Sequence, residues 1–163
     1  MQCCSSVVTI YLWSMRVRSR RRQKRPRAHT RKRGGSLLTV RFAEGLASRD
    51  YPLFQAKDQP AITWPQQSAP VTLLCWDPDA PTPSWLHWMV INCSGTSPST
   101  GTTAMSWAPP APPSGTHRYI FGLYTSAAPI HPVTRARASF DPAAFAAANG
   151  LTQLDWAGIK VSW

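Results

Sequence analysis

The chain has 163 residues, 18 of them Lys or Arg and seven Asp or Glu, which leaves room for one domain of ordinary size plus a tail. The charge is partitioned: eleven basic residues lie between Arg16 and Arg33, every acidic residue falls at Glu44 or later, and from Glu44 onward six Lys and Arg face seven Asp and Glu. The formal +11 therefore belongs to the tail, and a domain that is basic as a whole is excluded.

Four cysteines, Cys3, Cys4, Cys75 and Cys93, make no disulfide framework in a chain this long, and none forms a Cys-x-x-Cys pair suited to structural zinc. Cys75 and Cys93 read as buried thiols. A reducing compartment fits, and the expected location is cytoplasmic, with nuclear entry through the basic tail.

Residues 1–35 form a separate region ending at Gly34-Gly35. Cys3–Met15 is apolar but shorter than the roughly 20 residues that span a bilayer. Its charges follow it, whereas a signal peptide carries them in front. An interfacial anchor acylated at Cys3 or Cys4 is the alternative reading. The run RSRRRQKRPRAHTRKR cannot bury a core and repels itself, so it reads as a disordered tail. Its partners by charge are nucleic acid, an anionic membrane or the import machinery of the nucleus; the plain alternative is a solvated tail.

The domain is placed at 36–163. Ser36–Phe42 and Ala61–Trp64 are short predicted strands, the second bounded by Pro60 and Pro65. Val71–Trp76 is a continuous apolar run, as expected for a strand buried on both faces. His87–Cys93 is the next strand, followed by a Ser/Thr/Gly loop over Ser94–Thr103. His117–Thr125 alternates aromatic and apolar residues and is placed centrally in the sheet. Asp141-Pro142 opens the one predicted helix, with Asp141 as its cap, an alanine-rich body and Asn149-Gly150 as its stop. Gly158–Trp163 closes the chain as a strand. The fold class is mostly β, a sandwich of two sheets with one short helix near the C-terminus.

Within CWDPDAPTPSWLHW, Asp77 and Asp79 emerge where the buried strand ends, and Pro78 and Pro81 stiffen the turn whether or not it has a function. Asp77 alone could be a turn cap. His87 begins the following strand between Trp85 and Trp88, and taken singly it is a packed histidine. His117 also begins a strand, followed by Arg118 and Tyr119. Strand ends that lie at the same end of a sandwich can converge on one cleft.

TLLCWDPDAP, then LHWMVIN, then APPSGTHRYIFGLY resemble, in order and spacing, the phosphatidylethanolamine-binding protein family. ITW ahead of them and RASFDPAAFAAANGL behind them fit the same pattern, so the resemblance covers about 36–163 and leaves the tail outside. It implies an antiparallel β-sandwich with a cavity for phosphate, phosphorylethanolamine and similar anions, lined here by Asp77, Asp79, Pro81, His87, Pro110, His117 and Tyr119. Imidazoles and a phenol can donate to anion oxygens. Asp77 would repel an anion, so its expected role is to orient and charge a histidine. Arg118 is open to two readings, anion ligand or structural partner.

Two departures stand out. Pro109 occupies the place of a glycine whose backbone N–H commonly serves the anion, and proline has no such donor. Ending at Trp163, the chain resembles short bacterial-type forms, without the C-terminal helix of longer eukaryotic members, which implies a more open site.

The expected function is a non-catalytic binding protein with a small-anion or phospholipid-headgroup pocket and no cofactor. Kinase inhibition, protease inhibition and developmental signalling are associated with the resemblance, so a kinase or protease is the expected protein partner. One alternative is a metal-dependent hydrolase or lyase using Asp77, His87 and His117. Against it, no Ser or Cys nucleophile stands beside a base in a recognisable motif. The other alternative is a nucleic-acid- or membrane-tethered protein dominated by its tail.

Overall fold

The computed structural model describes residues 37–42, 50–82, 84–132 and 136–163. The basic region 1–35, including Cys3–Met15, lies outside the described residues. Among these residues eight strands and one α-helix follow in order: β1 Thr39–Arg41, β2 Asp50–Pro52, β3 Ala61–Thr63, β4 Val71–Asp77, β5 Trp85–Cys93, β6 Thr102–Met105, β7 Thr116–Thr125, α1 Pro142–Ala148 and β8 Thr152–Ser162.

The large sheet has the order β2-β8-β7-β4-β5-β6, and β1 pairs with β3 in a second, two-stranded sheet. All pairings are antiparallel except β2 with β8, a three-residue parallel contact at one edge. β4 and β7 lie inside the large sheet, as their apolar runs predicted. Successive side chains of a strand point to opposite faces, so β4 serves two cores. Leu73 and Cys75 join a cluster with Val40, Ile62, Trp64, Trp88 and Phe121, between the two sheets. Leu74 joins Leu86, Met89, Ile91, Tyr124, Ile130 and Phe140 on the other face, where Phe145 and Ala146 of α1 pack. Each large side chain buried in this way contributes roughly 1.5–3 kcal/mol.

α1 forms for local reasons. The Asp141 Oδ1 accepts hydrogen bonds from the amides of Ala143 (2.9 Å) and Ala144 (3.0 Å), and Pro142 occupies the first turn. Gly150 then takes φ +62°, the left-handed conformation that ends helices and favours glycine. No helix among the described residues is long and apolar enough to cross a membrane.

Several boundaries differ from the sequence reading: most strand ends move by one to three residues, and β5 begins at Trp85, so His87 is its third residue rather than its first. The predicted loop 94–103 holds a 3-10 turn, Pro98–Thr100, and the start of β6. β6 is a mostly exposed edge strand, so it carries no apolar alternation to betray it. β2 is too short to show a period at all. β8 begins at Thr152 rather than Gly158, because its first half is only partly covered and reads as polar. Cys75 and Cys93 are buried free thiols. Burial raises both, Cys93 to about 11, which leaves them unreactive at neutral pH.

Candidate functional site

β4 runs antiparallel to β7 with Trp76 opposite Ile120, which brings the end of β4 beside the start of β7. At that junction Asp77 is buried and His117 nearly so. The Asp77 Oδ2 accepts a hydrogen bond from His117 Nδ1 at 2.7 Å, since an ionised carboxylate can only accept. The other oxygen, Oδ1, accepts from the Asp79 amide at 2.8 Å. Both Asp77 oxygens are thus engaged, one in the turn and one on the histidine. That is the orienting role expected for Asp77.

Asp79 faces a different partner. Its Oδ2 accepts from the Arg118 amide (2.9 Å) and Nε (2.8 Å), and its Oδ1 from the guanidinium NH2 (2.6 Å). The fork of Arg118 holds the Asp79 carboxyl down to about 2, below the usual carboxylate range. Of the two readings for Arg118, the geometry fits the structural partner. The guanidinium side is exposed, so the pair fixes the turn to β7 without being a large source of stability.

His87 sits in β5, buried, with its Nδ1 donating to the Ala108 carbonyl at 2.8 Å. The Ala108 amide returns a bond to the His87 carbonyl at 2.9 Å, closing a two-way tie to the loop after β6. The imidazole meets the Tyr119 ring edge-on at a centroid distance of 5.0 Å. Burial lowers the His87 pKa, aided by the Arg137 charge and opposed by the Ala108 carbonyl and Asp77. Its ground state at neutral pH is the uncharged ring with the proton on Nδ1. For His87 and His117 alike, Nε2 makes no hydrogen bond with a described residue.

Tyr119 is fully buried, and its hydroxyl lies near the Ala111 backbone and the Asp77 carboxylate but meets hydrogen-bond geometry with none of the described residues. Burial, and then the Asp77 charge, push this phenol well above its ordinary value, so it remains a donor at every physiological pH. Buried hydroxyls without partners are uncommon and invite an acceptor from outside.

The prolines divide. Pro110 is buried, while Pro81 and Pro109 are exposed. With the Ala108 amide committed to His87 and no N–H on Pro109 or Pro110, the 108–110 wall offers no free backbone donor. Three contributors were not foreseen from sequence. Trp107 packs against His87, Trp88 and Phe121, Ala108 supplies the carbonyl on His87, and Arg137 binds the β5 backbone. Trp107, just ahead of Ala108-Pro109-Pro110, carried the one legible signal, an aromatic at the start of a stiff turn.

Among the described residues, no group of three His, Cys, Asp or Glu is arranged to hold a metal ion. His87 and His117 spend their Nδ1 atoms on different partners in different walls. An open cleft of about 650 Å³ lies elsewhere, between α1 and the sheet, lined by Trp76, Tyr124, Leu151 and Trp156. None of Asp77, His87, His117 or Tyr119 lines it.

The chain is 38% identical over 86 residues to a 26 kDa secreted antigen of Toxocara canis, covering 47% of this chain and 33% of that protein. It is 35% identical over 91 residues to the Arabidopsis thaliana protein BROTHER of FT and TFL 1, covering 50% and 51%. The matches thus span about half or less of each relative's length. A crystal structure of a phosphatidylethanolamine-binding protein from Plasmodium falciparum superposes with a TM-score of 0.61 at 16% identity, over 77% of this chain and 84% of that one. The family model for phosphatidylethanolamine-binding protein matches residues 32–159, from ahead of β1 into β8, with the DPDAP turn and the GTHRY strand start inside it. The chain belongs to the phosphatidylethanolamine-binding protein family.

Proposed function

We propose that the chain is a non-catalytic binding protein whose site takes a small anion of the phosphate monoester class, free or as a phospholipid headgroup. The observation that carries this is the buried Tyr119 hydroxyl, which lies near the Ala111 backbone and Asp77 but completes a well-formed hydrogen bond with no described residue, beside an imidazole whose Nε2 is also unbonded. In this reading Tyr119 donates as it stands, and His87 and His117 donate from Nε2 when their rings carry a second proton. Asp77 and Asp79 position His117 and Arg118, and Pro81 and Pro110 bound the walls. Family membership supports a role in modulating signalling proteins such as kinases or proteases. The same reading puts the protein in the cytoplasm, with the tail contacting nucleic acid or anionic membrane and directing nuclear entry.

The test is an NMR titration with inorganic phosphate and with phosphorylethanolamine, following both imidazole rings. Both rings shift on saturation, and the preferred ligand tells free phosphate from headgroup. His87→Ala and His117→Ala each weaken binding by about 10- to 100-fold, the worth of one charge-assisted hydrogen bond. The double variant loses less than the product of the two, because both rings hold one ligand. Rings that stay unshifted at saturating ligand would refute the proposal.

A further inference from the structure

Arg137 lies outside the motifs that define the site, yet its guanidinium is built into the wall behind His87. Its NH1 donates to the carbonyls of Leu86 (3.0 Å) and His87 (2.9 Å), and its NH2 to the carbonyl (2.8 Å) and hydroxyl (3.2 Å) of Ser106. Its own carbonyl accepts from the Leu86 amide at 2.8 Å, and Ala138 bridges to Trp85, so the segment runs alongside β5. Every one of these acceptors is neutral. No carboxylate among the described residues pairs with this half-buried cation.

We propose that Arg137 is a positioning residue of the anion site, clamping the start of β5 to the Ser106–Ala108 wall and supplying the fixed positive charge behind His87. The proposal rests on the reading of the site as an anion pocket. The clamp acts through the His87 carbonyl, which accepts from both Arg137 and the Ala108 amide, while the His87 ring donates to the Ala108 carbonyl. Moving any one of these groups would turn the imidazole. A planar fork that reaches three carbonyls at once is a task for arginine rather than lysine.

The charge has a second effect. The groups facing the His87 ring are Asp77 from β4, Tyr119 from β7, the Trp107 ring and Ala108 carbonyl from the loop, and Arg137 from the segment before α1. Asp77 favours a proton on the ring, while Arg137 opposes it and assists burial in keeping the ring neutral. An arriving anion adds negative charge that offsets Arg137, and a proton can then join Nε2. Arg137 thus couples anion capture to proton uptake.

The experiment compares wild type, Arg137→Gln and Arg137→Lys in two measurements. One is the pH titration of the His87 ring by NMR without any anion. The other is inorganic phosphate affinity at pH 7. Arg137→Gln moves the His87 midpoint upward and weakens phosphate about tenfold, the scale of one charge-assisted interaction. Arg137→Lys keeps the charge but loses the fork, so the midpoint stays near wild type and phosphate weakens by a smaller factor. An Arg137→Gln protein with wild-type midpoint and affinity, lower only in melting temperature, overturns the proposal. So does an Arg137→Lys protein that binds phosphate as wild type does, which decides the matter if the glutamine variant does not fold. Should wild type fail to bind phosphate, the anion reading falls, while the anion-free midpoint still decides whether Arg137 governs His87.

Discussion

Asp77 and His117 are forty positions apart in sequence and meet at 2.7 Å in a buried hydrogen bond, the shortest link between the end of β4 and the start of β7 on the interior side. The neighbouring pair, Asp79 and Arg118, repeats the connection toward solvent. Alternation along β7 turns His117 inward and Arg118 outward, and the turn after β4 places Asp79 over the outward guanidinium while Asp77, at the strand end, meets the inward imidazole.

Asp77→Asn is expected to weaken both the fold and the site. The amide keeps the volume but replaces a charged acceptor, so stability falls by roughly 1–3 kcal/mol. Thermal melts measure that loss. The His117 ring signals should broaden or shift even without ligand, and a variant with wild-type melting and an unmoved ring would show that the bond carries no weight.

Acid should act through Asp79. Its folded carboxyl titrates at about 2, below the unfolded value near 3.9. The pair therefore contributes stability above pH 4 that is lost as pH falls from about 4 to about 2. Arg118→Gln should flatten that part of the stability–pH curve and leave neutral-pH binding of phosphate intact. Equal acid sensitivity in both proteins would count against the assignment.

His87 should shape the curve nearer neutrality. Its folded pKa lies below the ordinary 6.5. Its contribution to stability is complete above pH 6.5 and declines as pH falls below it, because the unfolded chain takes the proton more readily. Phosphate binding that places a proton on Nε2 takes up protons from the buffer and is tighter at pH 6 than at pH 8. Calorimetry in buffers of different ionisation enthalpy measures that uptake, and a heat independent of buffer contradicts it.

Removal of residues 1–35 should leave a cooperatively folding protein with a melt near that of the full chain, since every described strand and the helix lie beyond that region. Binding of the full chain to nucleic acid or anionic vesicles should fall by orders of magnitude between about 50 and 200 mM salt. A truncated protein that aggregates, or binding indifferent to salt, would reverse the respective expectation.

The amino-acid sequence by itself determined the elements whose causes are local. β4 announces itself by six apolar or β-branched residues in a row, and α1 by an Asp-Pro cap and an Asn-Gly stop, since burial period and capping depend on chain neighbours. The DPDAP and GTHRY motifs were legible in the same way, and with them the family and the candidate residues. Tertiary structure decided the rest. β2 and β6 exist because an interior strand offers each a ladder of hydrogen bonds, and so few half-exposed residues carry no period of their own. Partner choice among the polar groups was equally invisible: nothing near Asp77 or Asp79 says which takes the histidine and which the arginine, because that depends on the β4–β7 register. Arg137 makes the point most sharply, since its chemistry at the site consists entirely of bonds to carbonyls, and every residue has a carbonyl.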